Sequence, residues 1–368
     1  MSSEYAQDSA DRGNRLLAGS GPVSIEVMSD RELHRSTTSA FRRRILTVPA
    51  TLAAAFVSVL LAVVWIPVTV GRDLAMGRRR LPITRLACCL VCWAWLESAG
   101  VVGAGWLWVT GRGHSRRANF RLQRWWIERL VGAMRLTTGV RIEVPDTAVF
   151  VDGPLVMLCR HASVADSVLS AWVISTLSAM APRYVLKREL LSDPCLDIVG
   201  NRLPNHFLDR DAADSAVEVD ALRDLASSMG SLDIAIIFPE GTRASRAKRE
   251  RMLAKIGARD AERAQRLASL RHLLPPRPAG ARALLAGSPT ADVVLAWHVG
   301  FEGLDTFAGI LRILAREPPT VRFATRRVPR CDVPEGDGFT RWLDDQWLAM
   351  DAAVDSLLAP PSPGQEAR

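Results

Sequence analysis

Leu158-Cys159-Arg160-His161-Ala162-Ser163-Val164-Ala165-Asp166 closes an apolar run that starts at Leu155, and it opens a second, longer run that reaches Met180. The first run has the length of a buried strand and the second that of a helix, so the polar turn between them reads as a strand–loop–helix junction. Working outward, short apolar runs at 148–151, 184–185 and 234–238 read as further strands, and 216–228 reads as a helix. This alternation predicts an α/β domain built on a mostly parallel sheet flanked by helices. It extends over residues 116–358.

The chain has 368 residues, enough for a large core, and 48% of them are hydrophobic. The apolar excess is local. Residues 45–71 carry no charge and are bounded by Arg42, Arg43 and Arg44 before and Arg72 after. That length exceeds the roughly 20 residues needed to cross a bilayer core. Residues 86–111 carry one charge, Glu97, and four tryptophans, Trp93, Trp95, Trp106 and Trp108, which favour a membrane interface. Basic residues flank both runs, including Arg78, Arg79 and Arg80 between them. A spanning hairpin would put one basic cluster on the wrong side, so the pattern leans to a re-entrant anchor with the soluble part cytoplasmic. Residues 41–115 are therefore expected to anchor an N-terminal helical region in a membrane. Residues 1–40 and 359–368 are expected to be disordered tails, the first polar and the second proline-rich. Residues 120–136 suit an amphipathic helix, lying at the interface or facing the core.

A net charge of +8 is concentrated between residues 243 and 282, where twelve Arg or Lys stand against three acids. Such a block suits phosphate groups, an anionic lipid surface or nucleic acid, or forms an ordinary solvated helix face. The six cysteines are spaced for neither a metal nor a disulfide framework, although Cys89 and Cys92 form a C-x-x-C within an apolar run. Reduced thiols and no metal are expected.

His161 and Asp166 are the residues with the clearest chemical potential. Histidine can take a proton from a hydroxyl near neutral pH, and a carboxylate on its other ring nitrogen fixes the tautomer and stabilises the imidazolium. Five positions on an ideal helix stand about 140° apart. The pair can therefore meet only if His161 lies in the turn and Asp166 in the first helical turn. Against this, Ser163-Val164-Ala165-Asp166 also reads as a capping box, in which Asp166 would do no more than satisfy helix amides.

About seventy residues on, Phe238-Pro239-Glu240-Gly241-Thr242-Arg243 leaves another strand-like run. Proline and glycine force a turn, and Gly241 permits close backbone approach. Arg243 offers a planar fork to a phosphate, and Glu240 can orient it or bind a hydroxyl. In this order the two stretches resemble the glycerolipid acyltransferase family, whose first and third motifs read H-x-x-x-x-D and F-P-E-G-T-R.

The resemblance covers roughly residues 151–357 and implies several further assignments. His161 and Asp166 would be catalytic, and Glu240, Gly241, Thr242 and Arg243 would bind substrate. The stretch Asn205-His206-Phe207-Leu208-Asp209-Arg210 resembles the family's middle motif, so Phe207 would line the acceptor site and Arg210 would contact phosphate. The fourth motif normally places a proline in an apolar strand. Here Val293-Val294-Leu295-Ala296-Trp297 supplies the strand without it. The stretch Leu274-Pro275-Pro276-Arg277-Pro278-Ala279-Gly280 looks like the lysophospholipid and lysocardiolipin branch.

The implied reaction moves an acyl chain from a thioester, acyl-CoA or an acyl carrier protein, to lysophosphatidic acid or a related lysophospholipid. It would take place at the cytoplasmic face of the inner or cell membrane, with membrane lipids as surroundings, no cofactor and no nucleic acid. Two alternatives stand beside it. A serine hydrolase lacks a G-x-S-x-G elbow here. A basic lipid-binding scaffold explains the charge but not the coexistence of His161, Asp166 and Glu240.

Overall fold

The structure, a computed structural model, describes residues 30–144, 148–163, 165–208, 215–304 and 306–359. The chain forms two units, Met1–Leu46 and Thr47–Arg368. Of the first, the described residues from Asp30 onward are helical, so helix begins inside the stretch expected to be a polar tail. The carboxy-terminal tail beyond Ala359 lies outside the described residues.

The N-terminal helices are α1 (Asp30–Leu60), α2 (Ala62–Ala75), α3 (Pro82–Val109) and α4 (Arg116–Thr138). The apolar run 45–71 is thus divided at Leu61 between α1 and α2. Two helical stretches, Ser39–Leu60 and Pro82–Val109, are long and apolar enough to cross a membrane. Apolar side chains of α1 and α2 such as Phe56, Leu60, Val63 and Val68 are exposed. On α3, by contrast, one face is buried, made of the small residues Ala94, Ser98, Gly100 and Ala104 together with Glu97. A Cβ on Gly100 would lie 2.5 Å from the sulfur of Cys195, which shows how closely that face is docked. The tryptophans Trp93, Trp95, Trp106 and Trp108 are exposed. Helix α4 buries Ile127 and Val131 against the core while Trp125 and Leu136 remain outside, so its amphipathic pattern is satisfied by the domain itself.

Seven strands form one sheet: β1 (Arg141–Glu143), β2 (Leu155–Cys159), β3 (Ala181–Lys187), β4 (His206–Leu208), β5 (Asp233–Ile237), β6 (Asp292–Val299) and β7 (Thr320–Val328), in the order β1-β7-β6-β2-β5-β3-β4. Every pairing is parallel except β6 with β7. The fold is α/β with a mostly parallel sheet and helices on both faces. The run at 148–151, expected as a strand, is instead a 3-10 turn at Ala148–Phe150. Its Phe150 packs into the core without a strand partner.

Strand β2 is buried along its whole length, which explains why its sequence is continuously apolar rather than alternating. Its side chains nevertheless alternate between two layers. Val156 and Leu158 join a cluster with α7 (Ser215–Ser227), α10 (Pro278–Gly287) and α12 (Gly338–Leu358). Leu155, Met157 and Cys159 join another with α4 and α5 (Asp166–Leu177). Helix α12 contributes Phe339, Leu343, Trp347, Met350 and Val354, a stripe at helical spacing. Between α5 and α7 lies the short α6 (Pro194–Gly200), and α8 (Arg246–Gly257) and α9 (Ala261–Leu267) carry much of the basic block. The remaining helix, α11 (Phe307–Leu314), precedes β7.

Candidate active site

Strands β2 and β5 are neighbours, with Leu158 opposite Ile237, so the loops leaving their carboxyl ends emerge side by side. Such a position, outside the carboxyl ends of parallel strands, is where open α/β sheets bind ligands. One loop carries His161 and the other carries Phe238 to Arg243.

His161 lies in the loop and Asp166 is the first residue of α5. Nδ1 of His161 is 2.9 Å from Oδ2 of Asp166. The same carboxylate accepts the backbone N–H groups of Ala162 and Ser163 and the Ser163 hydroxyl. A capping box does not form, because the helix starts at Asp166 with Ala165 as its cap. Asp166 therefore turns back on the loop and holds both its amides and the imidazole. Burial alone would raise the Asp166 carboxyl. Its contacts with His161, His298 and Ser163 outweigh burial and hold it well below the usual carboxylate range. The His161 ring stacks obliquely on Phe238, with centroids 4.9 Å apart.

Glu240 occupies a place that its sequence position did not reveal. It is fully buried, with Oε1 accepting the His161 amide and Oε2 accepting the Leu274 amide. The side chain is thus turned into the protein, with both oxygens serving backbone amides. The two loops are tied again by Ala244 N–H to the His161 carbonyl, and the Arg277 amide bonds to the Pro239 carbonyl. Three segments of the chain are in this way fixed around one carboxyl group. Burial pushes that group up to about 8, against the opposing pull of the two amides and of Arg160.

Gly241 has φ +70°, the left-handed region that other residues avoid, and this lets the turn close with its amide on the Phe238 carbonyl. The Thr242 hydroxyl accepts from Lys248, which also binds the Arg243 carbonyl. Among the described residues neither the Arg243 nor the Arg277 guanidinium has a hydrogen bond or ion pair. Both line a cavity of about 490 Å³ together with His161, Lys187, Leu208 and Gly241. Leu208 rather than Phe207 faces this space. Phe207, its neighbour along β4, packs its ring toward Gly200, on the other face of the strand. Arg210 lies outside the described residues.

A second cavity of about 370 Å³ adjoins the first, sharing Ser167, Leu186 and Leu190, and runs between α4, α5 and α6. Its walls are almost wholly apolar, with Trp93, Trp126, Ile127 and Val168 among them. Sequence reading assigned roles neither to Arg277, although its motif was visible, nor to His298. The strand containing His298 was legible, but nothing marked the histidine as facing Asp166.

A charged groove beside a deep apolar slot, with a histidine–carboxylate pair at their junction, suits a phosphate-bearing amphiphile. Residues 141–276 match the family model described as Acyltransferase. Among solved structures the chain is similar to the 1-acyl-sn-glycerophosphate (LPA) acyltransferase PlsC from Thermotoga maritima. The likeness covers 76% of this chain and 98% of that one, with a TM-score of 0.50 and 14% identity. At that identity the likeness is one of fold. No curated protein sequence matches the chain.

Proposed function

We propose that this acyltransferase moves an acyl chain from a thioester, acyl-CoA or an acyl carrier protein, to the free glycerol hydroxyl of lysophosphatidic acid or a related lysophospholipid. The observation that carries the reading is the His161–Asp166 pair on the wall of a cavity that also holds two guanidinium groups, Arg243 and Arg277, unpaired among the described residues. Nδ1 of His161 is engaged by Asp166, so Nε2 takes the proton of the acceptor hydroxyl. The alkoxide oxygen attacks the thioester carbonyl, the carbon–sulfur bond breaks, and the leaving thiolate takes the proton from the imidazolium. Arg243 and Arg277 neutralise the acceptor phosphate and hold the hydroxyl within reach of the base, a contribution of proximity. The adjoining apolar cavity takes an acyl chain.

The same reading puts the protein at a membrane, with α1 and α3 as its anchor and the catalytic domain on the cytoplasmic face. What supports it is the exposed apolar surface of α1 and the exposed tryptophans of α3. Purified protein in detergent, offered acyl-CoA and acyl carrier protein thioesters with glycerol 3-phosphate, lysophosphatidic acid and other lysophospholipids, tests the reaction. Acyl product detected by mass spectrometry with lysophosphatidic acid or another lysophospholipid is expected. Absence of product with every pair, from folded protein, would contradict it.

A further inference from the structure

Asp166 is held by two histidines. Opposite His161, Nε2 of His298 lies 3.0 Å from Oδ1, at an angle outside that of a straight hydrogen bond. His298 is 3% exposed and the Asp166 side chain 1%, so water does not share this contact. Nδ1 of His298 has no partner among the described residues. The tautomer with hydrogen on Nε2 therefore leaves only a lone pair in apolar surroundings, whereas the other would strand an N–H there.

The histidine is also built in firmly. It sits in β6 opposite Phe323 of β7, with the Phe301 ring edge-on at 5.4 Å. Its carbonyl accepts Nη1 of the buried Arg160, which also pairs with Glu302, and Glu302 in turn accepts the Gly300 amide. His298 lines neither cavity described above.

We propose that His298 is a positioning residue: by holding Oδ1 of Asp166 from the sheet side, it leaves Oδ2 aimed at Nδ1 of His161 and disperses the carboxylate charge. The proposal rests on the reading of His161 as the base. Loss of the Nε2 donor would make Asp166 a stronger partner for His161, raising the pH at which His161 gives up its proton, and would loosen the carboxylate. Supporting groups of this kind are typically worth 10–100-fold in activity. Besides Asp166, the ionisable groups facing the pair are His161, Arg160, Glu302, Glu240 and Cys159, all retained in a His298 variant.

The test compares His298→Phe, which removes the donor, with His298→Gln, which keeps one. Both are read by the pH profile of kcat and by the pH dependence of His161 alkylation or carbethoxylation, followed by peptide mass spectrometry. His298→Phe should lose roughly 10–100-fold in kcat with little change in the acceptor KM. Both its acid limb and its His161 modification curve should move to higher pH. His298→Gln should restore most of each. His298→Met carries the same comparison if the phenylalanine is not accommodated. A donor-free variant with wild-type kcat and an unmoved acid limb would overturn the proposal. The modification curve needs no acyl transfer, so a shift there in a protein silent toward every acceptor would sustain the His298 contact while refuting the reaction.

Discussion

The backbone N–H of His161 donates to Oε1 of Glu240 over 2.8 Å, joining residues 79 apart in sequence. The other oxygen of Glu240 takes the Leu274 amide, so the most recognisable acid of the second motif serves the backbone of the first and third loops. The proline–glutamate–glycine turn is accordingly a bracket that sets the height of the histidine above the sheet. Gly241 then carries the chain out toward Arg243 in the cavity.

Replacing this bracket has a consequence for stability that depends on pH. The Glu240 carboxyl stands at about 8, above its ordinary 4.5, so between those values the folded protein binds more protons than the unfolded one. Its contribution to stability is complete below about 4.5 and is lost as pH rises through about 8. Glu240→Gln should lower the melting temperature at acid pH, where it breaks the bracket, and flatten the decline on going alkaline. Melting curves at several pH values check this, and a variant whose decline parallels the wild type would contradict it.

The Arg243 guanidinium has no protein partner among the described residues, so its loss should cost function without costing stability. Arg243→Ala should raise the acceptor KM roughly 10–100-fold, the equivalent of about 1.5–3 kcal/mol for bonds to a charged group. It should do so for phosphate-bearing acceptors and not for an uncharged monoacylglycerol, with an unchanged melting temperature. Steady-state kinetics with the two acceptor types separates these. An equal effect on both would remove Arg243 from the phosphate site.

Much of this was legible in the chain. Strand β2, helix α7 and strand β5 lie within a residue or two of their sequence boundaries because apolar run length and flanking turns mark fully buried elements. The 148–151 run misled because Phe150 is buried for packing rather than for pairing. The reversal at β7, which lies between β1 and β6, was illegible, since the residues of a strand do not announce its direction. At the site, motif spacing pointed to His161 and Asp166 together. It could not tell that Glu240 faces inward, that Leu208 rather than Phe207 faces the cavity, or that His298 approaches from a strand more than 130 residues away, as its bond to Arg160 records. These are facts of side-chain direction across strands distant in sequence.

The apolar cavity predicts a chain-length effect. Val168 is half-buried on its wall, two residues after Asp166 in α5. Val168→Phe should shorten the preferred acyl chain by a few carbons while leaving activity on short thioesters near wild type, because the added ring fills space rather than touching His161. Competition between thioesters of different length, resolved by mass spectrometry of the product, reads the shift. An unaltered preference would place the acyl chain elsewhere.

The central claim is that His161 takes the acceptor proton, and the direct measurement is acceptor-dependent thiol release by His161→Ala beside the wild type. A loss of roughly 10²–10⁴-fold in kcat, with melting temperature and membrane association unchanged, is the expected result. Thiol release at the wild-type rate in that variant would contradict the account.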